Sequence, residues 1–139
     1  MARADLYTQT QKKQEYFSDF LTDFEKHPVT SGLGRVINEN SVSQAIRNLV
    51  LTNLGERLFN SQIGSEVNKS LFEPFGRFAA EDLKNYIINC ISQNEKRCVL
   101  QNVKVYPSEE QNAYAVNIVF SVINNPEPIT LDFILRRVR

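Results

Sequence analysis

Histidine occurs once in 139 residues and cysteine twice, and these scarcities exclude several chemistries. His27 has no second histidine to form a metal-binding pair, and no Cys-x-x-Cys run or Cys/His cluster of zinc type is present. A nucleophilic triad would have to be built on this one histidine, which stands beside Pro28, and the sequence has no Gly-x-Ser-x-Gly turn. Two cysteines, Cys90 and Cys98, make no disulfide framework and are expected to be small buried hydrophobes. Glycine is also sparse. Gly32-Leu33-Gly34 lacks the later glycine and the strand-to-helix setting of a phosphate-binding loop. No apolar run approaches the roughly 18 residues of a membrane-spanning helix. The opening MARADLYTQTQKKQEYF lacks the ~7–15-residue apolar stretch of a signal peptide, so assembly in the cytoplasm is expected. Excess charge is missing too: 16 Lys and Arg balance 16 Asp and Glu. A nucleic-acid binder draws most of its non-specific affinity from a basic surplus that this chain lacks. No nucleic acid, membrane, metal or cofactor is expected.

What is present fits one domain. A 42% hydrophobic and 23% charged composition is that of an ordinary globular protein, and the length suits a single core. Residues 1–20 are polar, with Leu6, Tyr7, Tyr16, Phe17 and Phe20 as the sizeable apolar groups. Such a stretch buries too little surface to offset its ordering entropy, so it is expected to be an arm that orders against neighbouring subunits. The remaining residues, 21–139, form the domain. Residues 21–37 read as loop, ending in a short strand at Arg35, Val36 and Ile37; Pro28 keeps His27 extended.

Asn40 or Ser41 can cap the first helix, since either side chain can accept from a free amide. Val42, Ala45, Ile46, Leu49 and Val50 then follow helical spacing, which makes them a core face, with Ser43, Gln44, Arg47 and Asn48 on the wet side. A short helix is expected over residues 65–71 and a third over residues 78–92, with Ala80, Leu83, Ile87, Cys90 and Ile91 on its buried stripe. After Asn94 the period becomes two. Residues 99–106 read as a strand stopped by Pro107. Val116, Ile118, Phe120 and Val122 define the inner face of a second strand. Asn124, Asn125, Pro126 and Pro128 read as a turn, and Ile129, Leu131, Phe133 and Leu135 as the inner face of a third strand. Helices first and a meander second predict an α+β fold: N-terminal helices packed on one face of a C-terminal three-stranded antiparallel sheet, with an extended N-terminal arm.

Between the first and third helices lies the stretch on which this arrangement turns, GERLFNSQIGSEVNKSLFEPF, residues 55–75. Gly55 reads as a helix stop, Gly64 as a sharp bend, and Pro74 as the end of the short helix. Leu58, Phe59, Leu71 and Phe72 are expected to plug the gap between the flanking helices. The stretch reads as a structural hub comprising Gly55, Glu56, Arg57, Phe59, Gly64, Leu71, Phe72 and Pro74.

The run LTNLGERLFNSQIGSEVNKSLFEPF resembles the signature of the small baseplate-wedge subunit of contractile-tailed bacteriophages. This is a sheath-initiating, lysozyme-like family related to a type VI secretion baseplate component. In that family a helix ends in a Thr-x-x-Gly-Glu-Arg turn, followed by a Gly and a Leu-Phe-Glu-Pro stretch. Here these are Thr52, Gly55, Glu56 and Arg57, then Gly64, then Leu71, Phe72, Glu73 and Pro74, and the resemblance runs from about His27 to the C-terminus. Glu95-Lys96-Arg97 aligns with a Glu-Pro-Arg element that the family places where helix passes into sheet, with Lys96 standing where the family has Pro. Glu95 and Arg97 can form a bidentate pair, either at the surface or in an intersubunit contact.

The resemblance implies a structural subunit of the virion's tail baseplate wedge that starts polymerisation of the contractile sheath. Its partners would be other baseplate wedge proteins and the tail sheath subunit, in a hetero-oligomeric assembly. A short meander supplies a means, because an open sheet edge accepts a strand from another chain. The last strand is the expected docking edge, through Thr130, Asp132, Ile134, Arg136 and Arg137, with the two arginines restraining indiscriminate pairing. Two other readings stand beside this one. A stress-response anti-adaptor is similar to the fold family, which would make the chain a regulatory binding protein. A lysozyme-type glycosidase would need two carboxyl groups roughly 5–9 Å apart, for which Glu56 and Glu73 are the best placed, but they lie in no recognisable catalytic constellation.

Overall fold

The computed structural model describes residues 14–29, 31–123 and 125–137. Eight elements follow one another: β1 (Ser18–Phe20), β2 (Arg35–Ile37), α1 (Asn38–Leu51), α2 (Val67–Leu71), α3 (Arg77–Asn94), β3 (Cys98–Ser108), β4 (Ala113–Val122) and β5 (Asn125–Arg136). The last three form an antiparallel sheet in the order β3-β4-β5, with β4 in the middle. The fold is α+β, helices against one face of a three-stranded sheet, as the change of hydrophobic period predicts. The segments of the expected arm at residues 1–13 lie outside the described residues. Ser18–Phe20, at its other end, pair antiparallel with Arg35–Ile37 and make a two-stranded ribbon that the sequence reading left in the arm.

One core joins the layers. Val42, Ile46 and Val50 of α1, Leu83, Ile87 and Ile91 of α3, and Val116, Ile118 and Phe120 of β4 belong to the same buried cluster. Burying each such side chain contributes about 1.5–3 kcal/mol, so this cluster carries most of the drive to fold. β4 is buried at alternate positions as the sequence indicates, Tyr114 extends its inner face, and Ala113 is buried as well at the start of the strand. β5 buries Phe133 and Leu135 and turns its even positions to solvent.

Several element ends differ from expectation, each for a physical reason. α1 starts at Asn38 rather than after a cap at Asn40 or Ser41, and it has no side-chain cap. Asn38 sits at φ 50° and looks backward instead. Its Oδ1 accepts from the backbone N–H groups of Tyr16 (2.8 Å) and Phe17 (3.4 Å), and its Nδ2 donates to the Gln14 carbonyl. At its other end α1 stops at Leu51 with Thr52 as cap, so Gly55 does not end the helix; it lies in the next turn at φ 86°. α2 is shorter than the predicted 65–71, beginning at Val67 because Ser65 is held against α1. α3 runs a little beyond both predicted ends.

The prolines did not mark strand ends. β3 continues through Pro107, which pairs in register with Tyr114, and β5 already includes Pro126 and Pro128. Both are edge strands, where a missing N–H removes no ladder bond within the sheet.

Gly64 fixes the return of the chain after α1. Ser65 N donates to the Thr52 carbonyl (2.8 Å), Leu54 N to the Ser65 carbonyl (3.3 Å), and Ser65 Oγ to the Val50 carbonyl (2.6 Å). The two backbones are so close that a Cβ on Gly64 would lie 2.8 Å from the Thr52 oxygen and from the Asn53 carbonyl, and its φ is 140°. Gly55 also has positive φ but open space around it. The expected outcome is therefore unequal. Gly64→Ala combines overlap with backbone strain and should lose about 3 kcal/mol or more, whereas Gly55→Ala should lose about 1 kcal/mol. Urea unfolding of the two variants checks this, and equal losses would contradict the close approach.

Candidate functional site

Three surfaces carry the residues singled out above: the helix-to-sheet junction, the turn between α1 and α2, and the free edge of β5.

The junction is built where α3 ends and the chain reverses into β3. Glu95 N donates to the Ile91 carbonyl, which closes the helix, and the Glu95 side chain is only 6% exposed. Its Oε1 accepts from Arg97 Nε (2.8 Å) and Arg97 N (3.1 Å), and its Oε2 accepts from Arg97 Nη2 (2.6 Å). Both carboxylate oxygens are thereby engaged. The bidentate geometry forms as expected, but with a buried carboxylate rather than as a surface pair. Lys96 lies exposed in the turn between the partners. Burial would push the Glu95 carboxyl up, and the hydrogen bonds from the Arg97 side chain and backbone, with its charge, outweigh it and hold the group below its usual range. The Arg97 guanidinium also lies 5.6 Å over the Phe17 ring, a cation–π contact that ties the segment before β1 to this corner. Sequence reasoning missed the roles of Phe17 and Asn38, because neither contact is local and neither leaves a periodic signal.

Cys98 begins β3 beside this pair. Burial and then the Glu95 charge push its thiol up to about 11, and burial raises Cys90 as well. Both thiols stay protonated at neutral pH and make poor nucleophiles.

The turn between α1 and α2 is only partly the hub the sequence suggests. Leu71 is buried in the core cluster, but Leu58, Phe59 and Phe72 do not plug the gap between the helices. Leu58 and Phe59 are almost wholly exposed and Phe72 mostly so. Backbone hydrogen bonds and Gly64 already close that gap, which leaves no room for the aromatic rings. Phe59 has φ 69°, a left-handed conformation unusual for an aromatic residue. Glu56 Oε2 accepts from Asn53 N (2.8 Å) while Glu56 N donates to the Asn53 carbonyl, so the side chain caps its own turn. Arg57 is exposed, and its carbonyl accepts from Asn60 N. Leu54 and Phe72 border a cavity of about 410 Å³ beside α2.

Pro74 follows a point where the turn meets the sheet. Arg137 Nε donates to the Leu71 carbonyl (3.0 Å) and Nη2 to the Glu73 carbonyl (2.7 Å), so the end of β5 is fastened to the end of α2. An arginine satisfying the last carbonyls of a helix is favoured by hydrogen bonding and by the helix dipole. Arg137 is thus not a guard on the free edge, as expected from sequence; only Arg136 of the two is exposed there.

Along β5, the side chains of Thr130, Asp132, Ile134 and Arg136 all face solvent. Asp132 accepts from Asn117 Nδ2 on the neighbouring strand. Arg137 N donates to the Asn112 carbonyl on the β4 side. Because amides alternate in direction along an antiparallel ladder, the odd residues of β5 serve β4, and Thr130, Asp132, Ile134 and Arg136 turn N–H and C=O toward the open edge.

The junction pair gives a pH prediction. A carboxylate whose folded pKa is lowered contributes stability above its unfolded value, about 4.3 for Glu, and loses it as pH falls through the folded value. Glu95→Gln should lose about 2 kcal/mol at neutral pH, and the gap to the parent should close as unfolding is measured at steadily lower pH below 4.3. A gap that does not change with pH would remove the charge from the argument.

Comparison with known proteins bears on the fold and the family. The chain is 27% identical over 97 residues to the baseplate wedge protein gp25 of Enterobacteria phage T4, covering 70% of this chain and 74% of that protein. Among solved structures, a protein of Geobacter sulfurreducens described as a tail lysozyme superposes with a TM-score of 0.68 at 19% identity, over 73% of this chain and 92% of that one. A chain of the anti-feeding prophage baseplate gives 0.61 at 18% identity, over 88% and 87% of the two chains. A chain of the pyocin R2 baseplate after contraction gives 0.52 at 15% identity, over 71% and 95%. These three share the fold. A family model described as baseplate wedge protein gp25 matches residues 37–127, which span the first helix, the turn, the junction pair and the middle strand. The chain belongs to the baseplate wedge protein gp25 family.

Proposed function

We propose that this chain, a structural wedge subunit of a contractile tail baseplate, starts the tail sheath by taking a sheath strand onto the free edge of β5. The observation that carries this reading is the contrast between the two edges of the sheet. On β3, a register shift between Leu100 and Asn102 interrupts the ladder and Pro107 removes an outward donor, and such irregularities blunt an edge. On β5 the interruptions come early: Pro126, Pro128 and a register shift precede Ile129. From Ile129 to Arg136 the strand is regular, eight residues or about 26 Å at roughly 3.3 Å each. That length supports several ladder bonds to an incoming strand.

The other two surfaces suit the remaining wedge proteins. Leu58, Phe59 and Phe72 expose far more apolar area than a free subunit gains from, and an assembly would bury it. Arg97, still about a third exposed beyond its pair with Glu95, suits an intersubunit contact at the junction. The setting is the tail baseplate of the virion.

The reading is structural rather than enzymatic. Glu56 is committed to the Asn53 amide, and the Glu73 side chain is exposed to solvent, so neither is held as an acid or base on a reacting bond. Glu56→Gln and Glu73→Gln should leave any cell-wall clearing by the purified protein unchanged. Loss of clearing in either, with an unaltered circular dichroism spectrum, would restore the glycosidase.

For the edge itself, Thr130→Pro removes one outward N–H and no bond to β4. The variant should fold, enter baseplates and start sheaths roughly tenfold less often, the loss expected when about 1.4 kcal/mol of docking free energy is removed. Electron micrographs that count sheathed and unsheathed particles read this out, and normal sheath numbers would reject β5 as the docking edge.

A further inference from the structure

The chain is neutral overall, but the outer face beside the β5 edge is not. On the outer face of the sheet, Arg47, Lys104, Tyr106, Asp132, Ile134 and Arg136 border one open cavity of about 860 Å³. Three of these are cations and one is a carboxylate. The carboxylate, Asp132, accepts from the neutral amide of Asn117 and keeps its charge, so the cations are in excess by two. Among the described residues, Arg47, Lys104 and Arg136 form no ion pair. On the helix side of the same strand, Leu21, Asp23, Gln44, Arg47, Leu51 and Leu131 border a groove of about 490 Å³.

Arg47 is common to both spaces. It stands on the α1 face that helical periodicity assigns to solvent, and it flanks the place where an added strand would lie. Successive side chains of a strand point to opposite faces. A strand laid along Ile129–Arg136 would therefore send every second side chain into the groove against Leu51 and Leu131. The alternate side chains would lie over the outer face, where Arg47 and Arg136 outnumber the single carboxylate of Asp132 beside the edge.

We propose that the β5 edge selects an extended segment in which small apolar residues alternate with acidic ones, and that Arg47 and Arg136 are the residues that set this preference. The proposal rests on the reading of β5 as a strand-accepting edge and adds the chemistry of the partner. Charge complementarity at such an edge decides which strand pairs, and in which register, more than it adds to bulk affinity. Neither arginine is needed for the fold: both side chains are exposed and neither belongs to the buried cluster.

The test uses the full chain and two fluorescent decapeptides, one alternating Val and Glu and one alternating Val and Lys, with binding followed by anisotropy. The acidic peptide should bind at least roughly tenfold more tightly than the basic one, a difference of the size that opposed and matched charges make at an interface. Arg47→Glu combined with Arg136→Glu should reverse the preference, and Thr130→Pro should weaken both peptides. Equal binding of the two peptides that Thr130→Pro still weakens would overturn the selection and leave the edge in place. Failure of both peptides to bind would overturn the edge and the selection together.

Discussion

The rest of the structure depends on the backbone contact at Gly64. Where the chain leaves α1 it must double back closely enough for Ser65 to reach both the Thr52 and the Val50 carbonyls, and only a residue without a Cβ fits between. That return sets where α2 begins and therefore where the carbonyls of Leu71 and Glu73 point. Arg137, the residue after β5, takes both and so anchors the end of that strand. A strand that is held at its end loses less freedom when a partner strand is added, which lowers the cost of docking. The family's Gly and its Leu-Phe-Glu-Pro stretch are thus coupled to the sheet edge through one arginine 64 to 66 residues beyond the carbonyls it takes.

Legibility in the sequence followed periodicity. The buried positions of α1, α3, β4 and β5 could be read because each element packs one side on the core, and Val42, Leu83, Ile118 and Phe133 repeat at the spacing of that side. In residues 55–75 no period exists, and hydrophobicity alone then cannot separate a residue that plugs a gap from one that faces another protein. Leu71 did the first; Leu58, Phe59 and Phe72 do not. The backbone bonds that close the gap leave no trace in side-chain composition.

Prolines and charges failed for a related reason, since their meaning depends on topology. Pro107, Pro126 and Pro128 look like strand ends, and they would be on a central strand. Only the order β3-β4-β5 makes them tolerable, by placing them on edges. Glu95 and Arg97 announced a pair by type and spacing, but nothing local reveals that the carboxylate is buried or that Phe17 lies beneath the guanidinium. Arg47 belongs to the same class: on a helical wheel it is solvent-facing, and it becomes a wall of the β5 edge only because α1 packs next to that strand.

A neutral chain has little long-range field with which to steer partners, and at physiological salt a charge is screened beyond about 8 Å. Arg47 and Arg136 can act only on a strand already within reach of the edge. Such short range is no handicap in an assembly, where neighbouring subunits hold an incoming chain close and pairing becomes effectively intramolecular. Under that condition diffusion-stage attraction contributes little. What matters is that a strand brought to the edge in the wrong register meets like charge or a desolvated polar group, and is released. An edge that is open, pinned at one end and locally cationic meets this requirement, whereas the β3 edge, broken by a register shift and a proline, does not.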